Sequence, residues 1–296
     1  MPRVGFTPFA ASSVAIIPPS GAAAPGDARM EQLSDRVAVV TGAASGIGRG
    51  LAHAFADAGM RVVVADVDAA GAASVAAELA AAGHEAVSHR VDVTDPGSIA
   101  ALAQAAVDAF GAVHLLANNA GVMPVGPLIE ASEHDWTWTF DVNVRGVVRC
   151  VQAFLPHLSA SAPAHIVNTA SMAGLAPRVT ANLGVYSTSK AAVVVYSEVL
   201  RAELAAAAIG VSVLCPGPVT TRIWESERNR PAHLGETRSV SAPERASTGL
   251  DPLQVGQMVV EAVRHDRPYI FTNAGSKGRI DRRIAGLQEA LGIVES

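Results

Sequence analysis

Short runs of β-branched and aliphatic residues alternate along this chain with longer Ala-rich stretches, and this alternation limits the fold more than any other feature. The runs are Val37-Ala38-Val39-Val40, Val62-Val63-Val64, His114-Leu115-Leu116, His165-Ile166-Val167 and Val211-Ser212-Val213-Leu214. Strands that are apolar on both faces and separated by helices belong in a parallel sheet covered on both sides. The expected class is therefore α/β: a doubly wound parallel sheet of about seven strands with helices on both faces. In such a sheet, ligands bind at the carboxyl ends of the strands, near the point where the strand order reverses.

The pattern starts only after residue 32. Pro2, Pro8, Pro18, Pro19 and Pro25 fall among small residues with no period of 2 or 3.6, so residues 1–32 read as a disordered extension, with Met30 an equally good natural start. Residues 33–296 read as one domain, with residues 222–250 as a loop over the substrate and residues 272–296 as a tail carrying a helix from Arg279 to Leu291. A net charge of −5 gives no footprint for nucleic acid. Apolar stretches such as Ala191 to Val195 fall far short of a membrane span. The only two cysteines, Cys150 and Cys215, show no disulfide or metal spacing, which suits a reducing cytoplasm. The histidines are not paired at metal-ligand spacing either, so no metal is expected.

The first strand runs into Thr41-Gly42-Ala43-Ala44-Ser45-Gly46-Ile47-Gly48, after which a helix begins. Glycines at 42, 46 and 48 permit a sharp turn, a close approach of backbone to a pyrophosphate and tight helix-on-strand packing, with the helix N-terminus facing the negative charge. With a strand before it and a helix after it, this turn marks a Rossmann-type dinucleotide site. The second strand ends in Asp66, whose carboxylate would accept hydrogen bonds from both ribose hydroxyls of NAD and repel the extra phosphate of NADP. Neither Ser45 nor Val67 supplies a basic partner for that phosphate, so NAD is the expected cofactor.

Further along, Tyr186-Ser187-Thr188-Ser189-Lys190 puts a phenol and an ammonium on one helical face. A cation close by favours the phenolate and should bring the Tyr186 pKa down toward neutrality, making it a general acid or base.

These motifs, in this order, resemble the short-chain dehydrogenase/reductase family over about Leu33 to Phe271. The other matching positions are Asp92-Val93 after the third strand, Asn118-Asn119-Ala120-Gly121 after the fourth, Asn143 in a helix, Ser171 after the fifth, and Pro216-Gly217-Pro218-Val219-Thr220-Thr221. The resemblance implies that Ser45 and Ile47 join the glycines at the cofactor and that Asp92 and Val93 flank its adenine. It places Asn118, Ala120 and Gly121 along the adenosine ribose while bracing the sheet, and Pro216, Gly217, Val219 and Thr221 at the nicotinamide. It also implies catalysis by Asn143, Ser171, Tyr186 and Lys190. Tyr186 would take the hydroxyl proton of a secondary alcohol, and Ser171 would hydrogen-bond its oxygen. Lys190 would tune the phenol and bind the nicotinamide ribose, and Asn143 would anchor a water leading to solvent.

The expected activity is hydride transfer between NAD(H) and a secondary alcohol or ketone. The alternatives are an NADP-dependent ketoacyl-type reductase and a non-catalytic dinucleotide-binding redox sensor. The substrate pocket should be apolar, built from Met123 to Val125, Met172 to Arg178 and the long loop. That loop's Arg222, Arg228, Arg230, Arg238 and Arg245 read as solvated, or else as steering an acidic substrate. The expected assembly is a homodimer or homotetramer.

Overall fold

The computed structural model describes residues 28–178, 182–235 and 248–292. Its strands are β1 (Val37–Thr41), β2 (Arg61–Asp66), β3 (Ala86–Arg90), β4 (Leu115–Asn118), β5 (Ala164–Thr169), β6 (Ile209–Cys215) and β7 (Tyr269–Phe271). They form one seven-stranded sheet in the order β3-β2-β1-β4-β5-β6-β7. Every pairing is parallel. The direction of winding reverses between β1 and β4, which opens a cleft at the carboxyl ends of those two strands.

Period-2 geometry sends alternate residues to opposite faces, and both faces are apolar. Ala38, Val40, Val62 and Val64 point to one face, where they meet α1 (Gly46–Asp57), α2 (Ala69–Ala81) and α8 (Pro252–Arg264) through Leu51, Phe55, Val75, Leu79 and Val259. Val39, Val63, Leu116 and Ile166 point to the other, against α3 (Pro96–Phe110), α5 (Gly146–Ala160) and α7 (Gly184–Leu204) through Ile99, Leu102, Phe154, Leu158 and Leu200. Between β4 and α5 lie α4 (Glu133–Phe140) and a π-helical stretch, Asp141–Arg145. The short α6 (Met172–Leu175) follows β5, and α9 (Lys277–Gly292) closes the described chain.

Local signals explain where the helices begin. Asp68 caps α2 by accepting from Gly71 N–H, Asp95 precedes Pro96 at the head of α3, and Asp251 with Gln254 forms a capping box before Pro252 on α8. Helices α1 and α8 cross almost backbone to backbone. A Cβ on Gly50 would stand 2.2 Å from Pro252 O, and one on Gly256 would stand 2.4 Å from Gly50 O.

Two expectations about the ends change. The extension expected through residue 32 stops short of it, because Met30 is fully buried in the core shared with α1 and α8; residues 1–27 lie outside the described residues. The tail helix is present, slightly longer than expected. Ile280 packs inward, but Ile284, Leu287 and Leu291 are exposed. Among the described residues no helix is long and apolar enough to cross a membrane.

Candidate active site

The cleft at the switch point is floored by the glycine turn. Gly42 and Gly46 have φ of +66° and +53°, a region that favours glycine. A Cβ on Gly42 would stand 2.7 Å from Ala120 Cα, and one on Gly48 would stand 2.0 Å from Gly42 O. No side chain fits at either position without moving the backbone it meets, so the turn packs this closely on the end of β4 only with glycine there. Thr41 and Asn119 lock this turn to the end of β4. Asn119 N–H and Ala120 N–H donate to Thr41 Oγ1 at 3.0 and 3.2 Å, and Asn119 Nδ2 reaches Thr41 O and Gly42 O at 3.3 and 3.2 Å.

Asp66 stands at the rim, held in place by its neighbours. Its Oδ2 accepts from Ala44 N–H at 2.9 Å and its Oδ1 from Asp68 N–H at 3.0 Å. Those bonds orient the carboxylate and leave it further acceptor capacity. Asp92 forms a comparable turn, its Oδ1 accepting from both the N–H and the hydroxyl of Thr94.

At the far end, Ser171 caps α6 by accepting from Ala173 N–H at 3.1 Å. Close packing sets its position relative to Tyr186: a Cβ on Gly174 would stand 2.5 Å from Lys190 C, so α6 lies directly on the backbone of α7. Lys190 is buried and donates to Thr169 O at 2.7 Å, with Nζ 5.8 Å from the centre of the Tyr186 ring.

The electrostatics differ from the sequence expectation. Burial pushes the Tyr186 phenol up to about 12, offset in part by the Ser171 hydroxyl and reinforced by the Cys215 thiol. Burial also pulls Lys190 down to about 8. The net shift of Tyr186 is therefore upward, where the sequence led us to expect a lowering, because burial disfavours the phenolate.

Most of the expected residues come together. Gly42, Ser45, Gly46, Ile47, Asp66, Asp92, Val93, Ala120, Gly121, Ser171, Tyr186, Lys190, Pro216, Gly217, Val219 and Thr221 all line the cleft. Three do not. Gly48 lies beneath the turn that it allows. Asn118 turns into the sheet, where its Nδ2 donates to Asn168 Oδ1 at 2.9 Å, so it braces β4 against β5 while its neighbour Asn119 faces the cleft. Asn143 is also internal. Its Oδ1 accepts from Val122 N–H, and its Nδ2 donates to Val122 O and Ser189 Oγ, tying the turn after β4 to α7.

The long loop also departs from expectation. Arg230 is not solvated; it is buried with Asp135 and Glu227. Its Nε donates to Glu227 Oε2 at 2.9 Å, its Nη2 pairs with Asp135, and its guanidinium lies 4.8 Å from the Trp138 ring centre. Ser226 extends the attachment, its Oγ accepting from Met123 N–H at 2.9 Å. The loop is thus tied to α4 and to the turn after β4, with Ile223, Trp224 and Ser226 facing the cleft. Arg238 and Arg245 lie outside the described residues. Sequence reasoning gave no role in the site to Thr169 or Arg279, which also shape it; no local pattern marks them, since each acts on a distant segment. Among the described residues no cluster of His, Cys, Asp and Glu could hold a metal ion.

Comparison with known proteins agrees with this geometry. The profile of the family described as short chain dehydrogenase matches residues 36–232. The 1-deoxy-11-beta-hydroxypentalenate dehydrogenase of Streptomyces exfoliatus is 40% identical over 251 residues, covering 84% of this chain and 86% of that one. The C alpha-dehydrogenase of a Sphingobium species is 33% identical over 276 residues, 90% of each chain. A short chain dehydrogenase/reductase from Burkholderia phymatum, solved in complex with NAD, superposes with a TM-score of 0.83 at 39% identity, covering 88% of this chain and 97% of that one.

Proposed function

The chain belongs to the short-chain dehydrogenase family, and on that premise we propose that it oxidises a secondary alcohol with NAD, Tyr186 acting as the general base. That it is an oxidoreductase acting on a hydroxyl group with a nicotinamide dinucleotide follows from the family and its relatives. The choice of NAD, the residue roles and the direction are the proposal. One observation carries it: Ser171, Tyr186 and Lys190 line the same cleft as the glycine turn and Asp66.

The residues present suit a dinucleotide. Gly42 and Gly46 line the cleft in a positive-φ turn that favours glycine, with Gly48 packed beneath it, and Asp66 offers oriented acceptors at the ribose end. Bound there, the nicotinamide supplies the hydride acceptor. Ser171 donates a hydrogen bond to the substrate oxygen, which favours the alkoxide and carbonyl character that develops on it. Tyr186 Oη accepts the hydroxyl proton. Lys190, fixed by Thr169 O, keeps a positive charge beside the phenol below its pKa of about 8. Met123, Met172, Leu183, Ile223 and Trp224 give the substrate end an apolar wall. Relatives named for dehydrogenation support the oxidative direction.

Asp66 predicts the cofactor preference. The kcat/KM with NAD should exceed that with NADP by roughly 100-fold, since a phosphate beside a carboxylate costs several kcal/mol. Asp66→Ala should erase most of that ratio. Equal efficiency in the parent protein would remove the NAD assignment and favour the NADP-dependent reductase. The latter draws on Arg228, which lines the cleft and feels the charges of Asp66 and Asp68.

The proposed assembly is a homodimer along α5 and α7. Val195 and Val199, one turn apart on α7, are 59% and 52% exposed, an unusual placement for two Val side chains on one helix face. Light scattering coupled to size exclusion should give twice the chain mass, and a monomer at micromolar concentration would contradict this.

A further inference from the structure

The cleft does not end at Tyr186. It continues past Ser171 and Met172 to two guanidinium groups, those of Arg178 and Arg279. Arg279 comes from the first turn of α9, more than a hundred positions away in sequence from the α6 turn it meets. Its Nη2 donates to Met172 O at 3.5 Å and to Ala176 O, and Arg283 Nη1 donates to Leu175 O at 2.7 Å. All three carbonyls belong to α6 or its end, the turn that Ser171 caps, so the Arg279 guanidinium is fixed relative to the Ser171 hydroxyl through one short segment.

Nη2 carries both of these bonds, which leaves Nη1 and Nε of the guanidinium for a ligand. Among the described residues Nε and Nη1 of Arg279 make no hydrogen bond, and neither Arg279 nor Arg178 has a carboxylate partner. Asp281, two positions on and so directed to a different face of α9, is paired with Lys277 at 2.7 Å. Arg279 is also depressed below the usual arginine range, by its partial burial first and then by the charges of Arg178 and Arg282. Cations held together at one end of the cleft repel one another, and an anion arriving between them relieves that repulsion. With Nη2 committed, Arg279 offers a carboxylate single charge-assisted N–H···O bonds from Nη1 or Nε, and Arg178 adds a second cation.

From this geometry we infer that the alcohol substrate carries a carboxylate, bound by Arg279 with Arg178 at the end of the cleft remote from Asp66. The inference rests on the cleft being the alcohol site. It gives α9 a task beyond packing: the tail brings the anion-binding group to the substrate. The hydrophobic part of the substrate then lies along Met172, Leu183 and Trp224, with its hydroxyl at Ser171 and Tyr186.

The test uses the full chain and a matched probe pair, cyclohexanecarboxylate and cyclohexanecarboxamide, titrated by calorimetry at pH 7 with and without saturating NADH. The carboxylate should bind at least about ten-fold more tightly than the amide, the scale of a charge-assisted hydrogen bond. Arg279→Met should bring that ratio close to one. Arg178→Ala, at an exposed position with little risk to folding, should lower it several-fold. Equal affinity of the two probes in the parent protein overturns the inference, as does a ratio unchanged by both substitutions. A separate NADH fluorescence titration keeps the two readings apart. Failure to bind NADH with the carboxylate preference intact counts against the cofactor reading alone, whereas NADH binding without that preference counts against the anion site alone.

Discussion

Replacing Tyr186 by Phe should lower the rate of alcohol oxidation by roughly 10²–10⁴-fold, the range for losing a positioned general base. Phe fills the same volume, so folding and NADH affinity should persist, and a fluorescence titration checks this. The pH profile adds a second readout. Burial holds the phenol at about 12 in the protein as it stands, and a base must be deprotonated to act. Oxidation should therefore become faster as pH rises through the alkaline range. Reduction, which uses the protonated phenol as an acid, should be flat at neutral pH and fall only at high pH. Tyr186→Phe should lose the rising limb of the oxidative profile. Undiminished turnover, or an unchanged alkaline limb in the variant, would remove Tyr186 from the mechanism.

The largest stability effect is expected at Arg230. Its guanidinium pairs with both Asp135 and Glu227 in a site where all three side chains are almost fully enclosed, with Trp138 against its face. Removing one partner of such a network leaves buried charge behind, and Arg230→Met should cost about 3–5 kcal/mol of unfolding free energy. Urea denaturation measures this as a lower midpoint at constant slope. Neutralising the acids in the same background, with Asp135→Asn and Glu227→Gln, should recover part of the loss, because the penalty is for uncompensated charge and not for the missing contact area. The loop carrying Trp224 and Ser226 hangs from this network, so Arg230→Met should also raise KM for the alcohol more than it lowers kcat. A cost below about 1 kcal/mol would place Arg230 with ordinary surface ion pairs.

Much of the fold is legible in consecutive residues. The Val runs at 37–40 and 62–64 give both the strands and their two-sided burial, since alternate residues must face opposite layers. Asp68, Asp95 and Asp251 announce their helices through cap chemistry that spans three or four positions. The glycine turn could be read for the same reason: strand, Gly42, Gly46, Gly48 and helix lie within a dozen residues. The apolar face of the tail helix was visible in Ile280, Ile284, Leu287 and Leu291, though the sequence could not show that only the first of them is covered.

The lining of the cleft was largely legible as a set of residues, but not as an electrostatic environment. Spacing puts Tyr186 and Lys190 on one face, yet the sign of the phenol's shift depends on how far each group is desolvated and on Thr169 O, which comes from another strand. Asn118 and Asn119 are chemically identical neighbours. Strand alternation sends the first into the sheet against Asn168 and leaves the second facing the cleft, and the phase of that alternation becomes certain only when β4 is registered on β5.

The alternation of strands and helices, the glycine turn, Asp66 and the Tyr186-Lys190 spacing were determined by sequence alone, because each is a short-range pattern enforced by backbone geometry. Tertiary structure alone decided which arginines are buried and which distant segment packs onto the turn of Ser171. Arg230 and Arg279 look like the arginines around them. The first is enclosed by Asp135, 95 positions away, and the second is carried by α9 onto the turn of Ser171. Desolvation and charge pairing are set by what packs around a group, and that is fixed only when distant segments meet.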